Sequence, residues 1–303
     1  MLIEVGRMAY NRSRFVFLGR PFENVMKPKF LALILAIAAG ASTAAYFAAG
    51  SSAQKAAPEV DNSYQISGVL YMQKAGEYRA LCYQAFNIAR LRLDADFEKK
   101  NLKHLPKAER KMPRAIMVDI DETVLDNSPA QAYGIKHNKG FNLPDWYAWG
   151  DMRKAKAIPG SVEFLNYAHS RGVKIFYVSN RDEVQKQATM DNLKKVGFED
   201  ITDANVLLRQ KESSKDARRD VIRKTYRIVM QVGDNLDDFS STFEKKSVED
   251  RFAAVDAAKE HFGKDYIALP NAMYGTWESA IYGYGRLTEE QKAEKRAAAL
   301  ELP

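Results

Sequence analysis

Short, predominantly apolar runs constrain the fold of this chain more than any other feature of its sequence. Ala115-Ile116-Met117-Val118, Val173 to Val178 and Ile228 to Val232 lack the regular apolar–polar alternation of a half-exposed strand. A strand buried on both faces reads this way. Val206-Leu207-Leu208 and Tyr266-Ile267-Ala268-Leu269 are shorter candidates. Helix-like stretches separate them, at about 160–170, 183–196, 215–225 and 248–261. Strands alternating with helices of this size predict an α/β fold, a Rossmann-like, mostly parallel sheet with helices on both faces. Three of the runs end in polar residues, Asp119, Ser179 and Asp234. Open α/β sheets bind ligands beyond the carboxyl ends of their strands, so these distant residues are expected to meet at one rim.

Ahead of this core, a helical stretch is expected from about Ser67 to Lys100, with Tyr78, Leu81, Ala85 and Ile88 as its apolar stripe. Cys82 lies in that helix and reads as a small buried hydrophobe rather than a nucleophile. As the single cysteine, it also excludes a disulfide within the chain. Pro106 and Pro113 bracket a charged connector, Lys107 to Lys111, where the helical part gives way to the sheet.

The front of the chain reads as a targeting segment. From Phe30 to Gln54 there is no charged residue, long enough to cross a bilayer as a helix, which takes about 20 apolar residues. Met26-Lys27-Pro28-Lys29 precedes it like the basic leader of a secretory signal, and small residues near Ser51 and Ala53 offer a cleavage site. The charge placement predicts export to the periplasm or cell envelope, with membrane contact only through this segment. The division expected is therefore 1–54 signal or membrane anchor, 55–112 helical segment packing with a cap, 113–285 catalytic core, and 286–303 a C-terminal surface helix.

Net charge is +7, from 46 Lys and Arg against 39 Asp and Glu, with several of the basic residues ahead of the apolar segment. No dense basic block suits a nucleic acid polymer; the mild basicity could help attract phosphorylated substrates or could equally be solubility charge.

The chemistry gathers after the first and last main strands. Asp119 and Asp121 lie in Asp-Ile-Asp-Glu-Thr-Val-Leu-Asp-Asn, and Asp234 and Asp238 in Gly-Asp-Asn-Leu-Asp-Asp-Phe. Carboxylates clustered at strand ends repel one another unless a cation neutralises them, and all-oxygen ligation suits a hard ion such as Mg2+. Asp237 reads as a solvated loop residue. Ser179 and Asn180 end the middle strand where a phosphate oxygen can be held, and Lys215 opens a helix that adds positive charge.

These motifs resemble those of the haloacid dehalogenase superfamily, and within it the bacterial class C nonspecific acid phosphatases with their lipoprotein 5'-nucleotidase members. The stretches 119–127, 176–181, 211–215 and 233–239 correspond to the four ordered motifs of that family. Residues 72–87, Ile158-Pro159-Gly160-Ser161-Val162-Glu163-Phe164 and Leu269-Pro270-Asn271-Ala272-Met273-Tyr274-Gly275 extend the likeness to about 62–285. The lipid-anchoring cysteine of the lipoprotein members is missing.

The resemblance implies a magnesium-dependent acid phosphatase with a small, mainly helical cap inserted near 128–156. It implies Asp119 as nucleophile, Asp121 as acid and then base, Ser179 and Lys215 as catalytic holders of the phosphoryl group, and Asn180 beside them. Metal would be bound by Asp119, Asp234 and the Asp121 backbone carbonyl, with Asp238 in support. A nucleoside monophosphate is the first substrate expected. Tyr274 and Trp146 are its candidate contacts, although the aromatic clusters, Trp149 and Trp277 among them, could equally pack the joint between cap and core. A homodimer is compatible with all of this. Two rivals stay open: an exported phosphotransferase using the same intermediate, and a non-enzymatic surface protein binding haem or an adhesive partner.

Overall fold

A computed structural model describes residues 61–303; the apolar segment from Phe30 to Gln54 lies outside them. Among the described residues no helix is long and apolar enough to cross a membrane.

Two helices lead into the sheet, α1 (Ile66–Lys74) and α2 (Gly76–Phe97). The single long helix expected from the sequence is thus broken, because Ala75 is extended (φ −77°, ψ 129°) ahead of Gly76. The buried stripe of α2 is Tyr78, Cys82, Phe86, Ala89 and Leu93, while Leu81 is 41% exposed. The stripe is therefore rotated by about one residue from the expected one. Steps of four, four, three and four keep these side chains over the sheet for the helix's full length.

The sheet begins with β1 (Arg114–Val118). A two-residue strand, β2 (Leu125–Asp126), pairs antiparallel with β3 (Lys156–Ala157). Between them the chain leaves the core and returns, forming α3 (Ser128–Lys136) and α4 (Leu143–Met152). These helices make the small helical cap. Asn142 starts α4 as its N-cap, its Oδ1 accepting the N–H of Asp145 at 2.9 Å. Then follow α5 (Ser161–Ser170), β4 (Lys174–Asp182), α6 (Lys186–Lys195), β5 (Val206–Arg209), α7 (Asp216–Arg223) and β6 (Arg227–Gly233). The chain closes with α8 (Val248–Ala257), β7 (Tyr266–Ala268), α9 (Thr276–Ile281) and α10 (Glu289–Ala298).

The main sheet has the order β5-β4-β1-β6-β7, with all neighbouring pairs parallel. Its inner strands have two apolar faces. Ile116, Val118, Ile175 and Tyr177 face the larger core with α2 and α5, whereas Ala115, Met117, Phe176 and Val178 face a smaller one with Ile222 of α7. Two-sided burial explains why these strands lack alternation. After β5 the chain crosses to the far side of β1, so the carboxyl ends of β1 and β6 lie side by side where the strand order reverses, the place such sheets open a ligand crevice.

Candidate active site

Asp119 follows β1 directly, and its N–H still donates to the Val232 carbonyl of β6 at 2.9 Å. The chain then turns sharply: Val124 and Leu125 both return their N–H groups to the Ile120 carbonyl, at 3.0 and 2.8 Å. Glu122 makes this turn with a left-handed φ of 59°, and its buried Oε1 accepts the N–H of Asn127 at 2.7 Å. The turn puts Asp119 and Asp121 on one rim despite their separation by a single residue.

From the adjacent strand, Asp234 points into the same space. Thr123 Oγ1 donates to its Oδ1 and Asn271 Nδ2 to its Oδ2, both at 2.9 Å. Asp238 closes a small capping box, its Oδ2 accepting the N–H of Asn235 at 3.0 Å. Carboxylate oxygens of Asp119, Asp234 and Asp238 lie within 4.8 Å of one another. Lys215, buried at the start of α7, is ion-paired to Asp119 and, at 2.7 Å, to Asp238.

Burial drives the electrostatics of this cluster. It pushes the Asp119 carboxyl well above the usual range, with Lys215 pulling back and Asp238, Asp234 and Asp121 pushing further. Asp234 rises to about 7 by burial and the Asp238 charge, against the hydrogen bonds from Asn271 and Thr123. Burial alone would lower Lys215, but the Asp119 and Asp238 charges outweigh it and raise the ammonium above its usual value. Two buried carboxylates and a half-buried third, with one lysine among them, leave negative charge uncompensated. An all-oxygen donor set with surplus negative charge fits a hard divalent cation, and Asp119, Asp234 and Asp238 are the residues able to hold it.

Asp121 is absent from that cluster. Its Oδ1 accepts from Arg181 Nη2 at 2.8 Å and from Asn127 Nδ2 at 2.8 Å, and Ser179 Oγ lies 3.3 Å from its Oδ2. Ser179 in turn takes the Arg181 N–H on its Oγ at 3.1 Å. Ser179 and Asn180 do not end the strand as expected, since β4 runs on to Asp182 and pairs there with Arg209. Arg218 braces this stretch, donating to the Ser179 carbonyl and to Asn180 Oδ1, each at 2.6 Å.

All nine residues singled out from the sequence, Asp119, Asp121, Ser179, Asn180, Lys215, Asp234, Asp238, Trp146 and Tyr274, line one cavity of about 750 Å³. Tyr64, Tyr133 and Phe141 add aromatic wall to it. Asp237 departs from expectation: it is held by Arg251 at 3.4 Å and by Thr276 Oγ1 at 3.2 Å, so it braces α9 rather than standing in solvent. Trp277 departs too, being 43% exposed, while Trp149 packs with the core and donates its indole N–H to Asn127 Oδ1 at 2.8 Å. Sequence reasoning assigned no role to Arg181, Asn127, Thr123, Arg218 or Asn271. For Arg181, Asn127 and Thr123 a signal existed, since all three sit inside the motif stretches, but nothing in the spacing of Arg181 and Asn127 says that they meet over Asp121.

The family model described as HAD superfamily, subfamily IIIB (Acid phosphatase) matches residues 33–277. Among solved structures, the class C acid phosphatase from Bacillus anthracis with tungstate bound is 41% identical with a TM-score of 0.73, over 79% of this chain and 97% of that one. A second structure of the Bacillus anthracis class C acid phosphatase gives 0.72 at the same identity and coverage. The Stem 31 kDa glycoprotein of Glycine max is 34% identical over 128 residues, 39% of this chain and 49% of that protein. Acid phosphatase 1 of Solanum lycopersicum is 27% identical over 131 residues, 40% of this chain and 49% of that protein. The chain thus spans about half the length of the curated relatives it matches.

Proposed function

Because this chain belongs to the subfamily IIIB acid phosphatases of the HAD superfamily, we propose that it is an exported phosphomonoesterase that releases inorganic phosphate through an aspartyl-phosphate on Asp119. One observation carries this: a buried carboxylate at the end of the central strand, paired to Lys215, on the floor of a cavity wide enough for an ester's organic part.

Asp119 attacks phosphorus as the bond to the ester oxygen breaks, and Asp121 gives its proton to that oxygen so that a neutral alcohol departs. Water then attacks the phosphorus, losing a proton to Asp121, and frees phosphate and the Asp119 carboxylate. Ser179, Asn180 and Lys215 hold the phosphoryl oxygens during both transfers. The tungstate on the Bacillus anthracis relative, a tetrahedral oxyanion, supports such a seat for phosphate. Asp119, Asp234 and the Asp121 backbone carbonyl would hold magnesium, with Asp238 alongside. When bound, that ion neutralises the carboxylates and draws charge from the phosphoryl group.

Above this floor the cavity offers Tyr274 and Trp146 with further aromatic faces, which favours a nucleoside monophosphate as substrate. The test is hydrolysis of a phosphomonoester panel by the purified protein, with and without EDTA. Phosphate release that stops with chelator, returns with magnesium and is fastest on nucleoside monophosphates is expected. Release unaffected by EDTA, or transfer to an added alcohol in preference to water, contradicts it.

A further inference from the structure

The two oxygens of Asp121 have different surroundings. Oδ1 faces Asn127 Nδ2 at 2.8 Å, Arg181 Nη2 at 2.8 Å and Arg181 Nε at 3.0 Å, all of them donors only. Oδ2 faces the same Nε at 3.2 Å and the Ser179 hydroxyl at 3.3 Å. A protonated carboxyl cannot point its hydrogen at a crowd of N–H groups, but a hydroxyl can turn and accept it. When Asp121 takes up a proton as the general acid, the hydrogen-bond geometry therefore puts that proton on Oδ2.

What fixes this asymmetry lies in the cap. An indole N–H can only donate. Trp149 of α4 donates at 2.8 Å to Asn127, so Asn127 must present its amide oxygen to the cap and its NH2 to Asp121. Arg181 Nη2 at 3.2 Å from the same amide oxygen favours that orientation. Arg181 is itself tied to the cap, its guanidinium lying 5.3 Å from the ring centre of Trp146, one turn before Trp149.

We propose that Trp149 and Asn127 are positioning residues which, from the cap, hold the transferable proton of Asp121 on Oδ2. The inference rests on the phosphatase reading given above. In the first transfer that proton passes from Oδ2 to the ester oxygen while the phosphorus–oxygen bond breaks and the phosphoryl group joins Asp119, so charge and atoms balance.

The test uses leaving groups that differ in their need for the proton. p-Nitrophenolate departs readily without one, whereas an alkoxide does not. Trp149→Phe keeps the bulk and removes the donor. Its kcat/KM on glycerol phosphate is expected to fall roughly tenfold, a part of what a general acid contributes. Its kcat/KM on p-nitrophenyl phosphate should change far less. Asn127→Leu should show the same split more strongly, and adding Trp149→Phe to it should cost nothing further. An equal loss on both esters, no loss on either, or additive losses in the double variant overturns the inference. A wild-type protein that hydrolyses neither ester overturns the phosphatase reading, and this inference with it.

Discussion

Asp96, in the last turn of α2, lies at the opposite end of the sheet from the candidate site. Arg114, the first residue of β1, donates to its Oδ2 at 2.6 Å, and Arg227, the first residue of β6, donates to both oxygens at 2.8 and 2.6 Å. Burial pushes this carboxyl upward, but the hydrogen bonds from Arg227 and Arg114 outweigh it and hold it below the usual range. A carboxyl depressed on folding contributes stability above its unfolded pKa of about 3.9, and loses it as pH falls through the lower folded value. Asp96→Asn should therefore cost about 2 kcal/mol at neutral pH, since it strands two partly buried guanidinium groups. Chemical denaturation should show the gap to wild type closing as the pH drops below about 3.9. A gap independent of pH contradicts this. At this same scale, Asp119 and Asp234 could be read from the sequence because each follows an apolar strand. The Arg181 and Asn127 contacts to Asp121 could not, since they join positions 60 and 6 residues apart through side-chain direction alone.

Elements were legible where burial is two-sided or periodic and less so where a neighbour decides. The strands around Val118, Val178 and Val232 needed only their apolar runs. The stripe of α2 was misplaced because Leu81 and Cys82 are both apolar, and only the sheet beneath decides which one faces it. The break at Ala75, just ahead of Gly76, also went unread. Beyond the break, α1 lies so close to the loop after β7 that a Cβ on Gly68 would stand 2.3 Å from the Ala272 carbonyl oxygen. That loop carries Asn271, which holds Asp234, and Tyr274. Gly68→Ala should thus lower stability by about 2 kcal/mol through overpacking against backbone, read by thermal or chemical denaturation. A neutral effect would mean that α1 and the loop are not in the contact described.

Across the whole molecule, the reversal of strand order between β5 and β6 brings four sequence-distant motifs to one rim. The mostly parallel sheet and the meeting of these motifs at one rim were predictable from alternating strands and helices, whereas the strand order was not. The cap's reach into the site was not, because Trp146 and Trp149 read as general aromatic bulk until α4 is placed over Arg181 and Asn127. The central claim remains the chemistry of Asp119, and trapping the covalent intermediate tests it most directly. Purified protein is mixed with a phosphomonoester and magnesium, quenched in acid and digested. Mass spectrometry should find a phosphoryl group on the peptide containing Asp119, absent when Asp119→Asn is treated alike and accompanied there by near-complete loss of turnover. Phosphate release at the wild-type rate by a folded Asp119→Asn protein, or rapid turnover with no adduct on that peptide, would contradict the account.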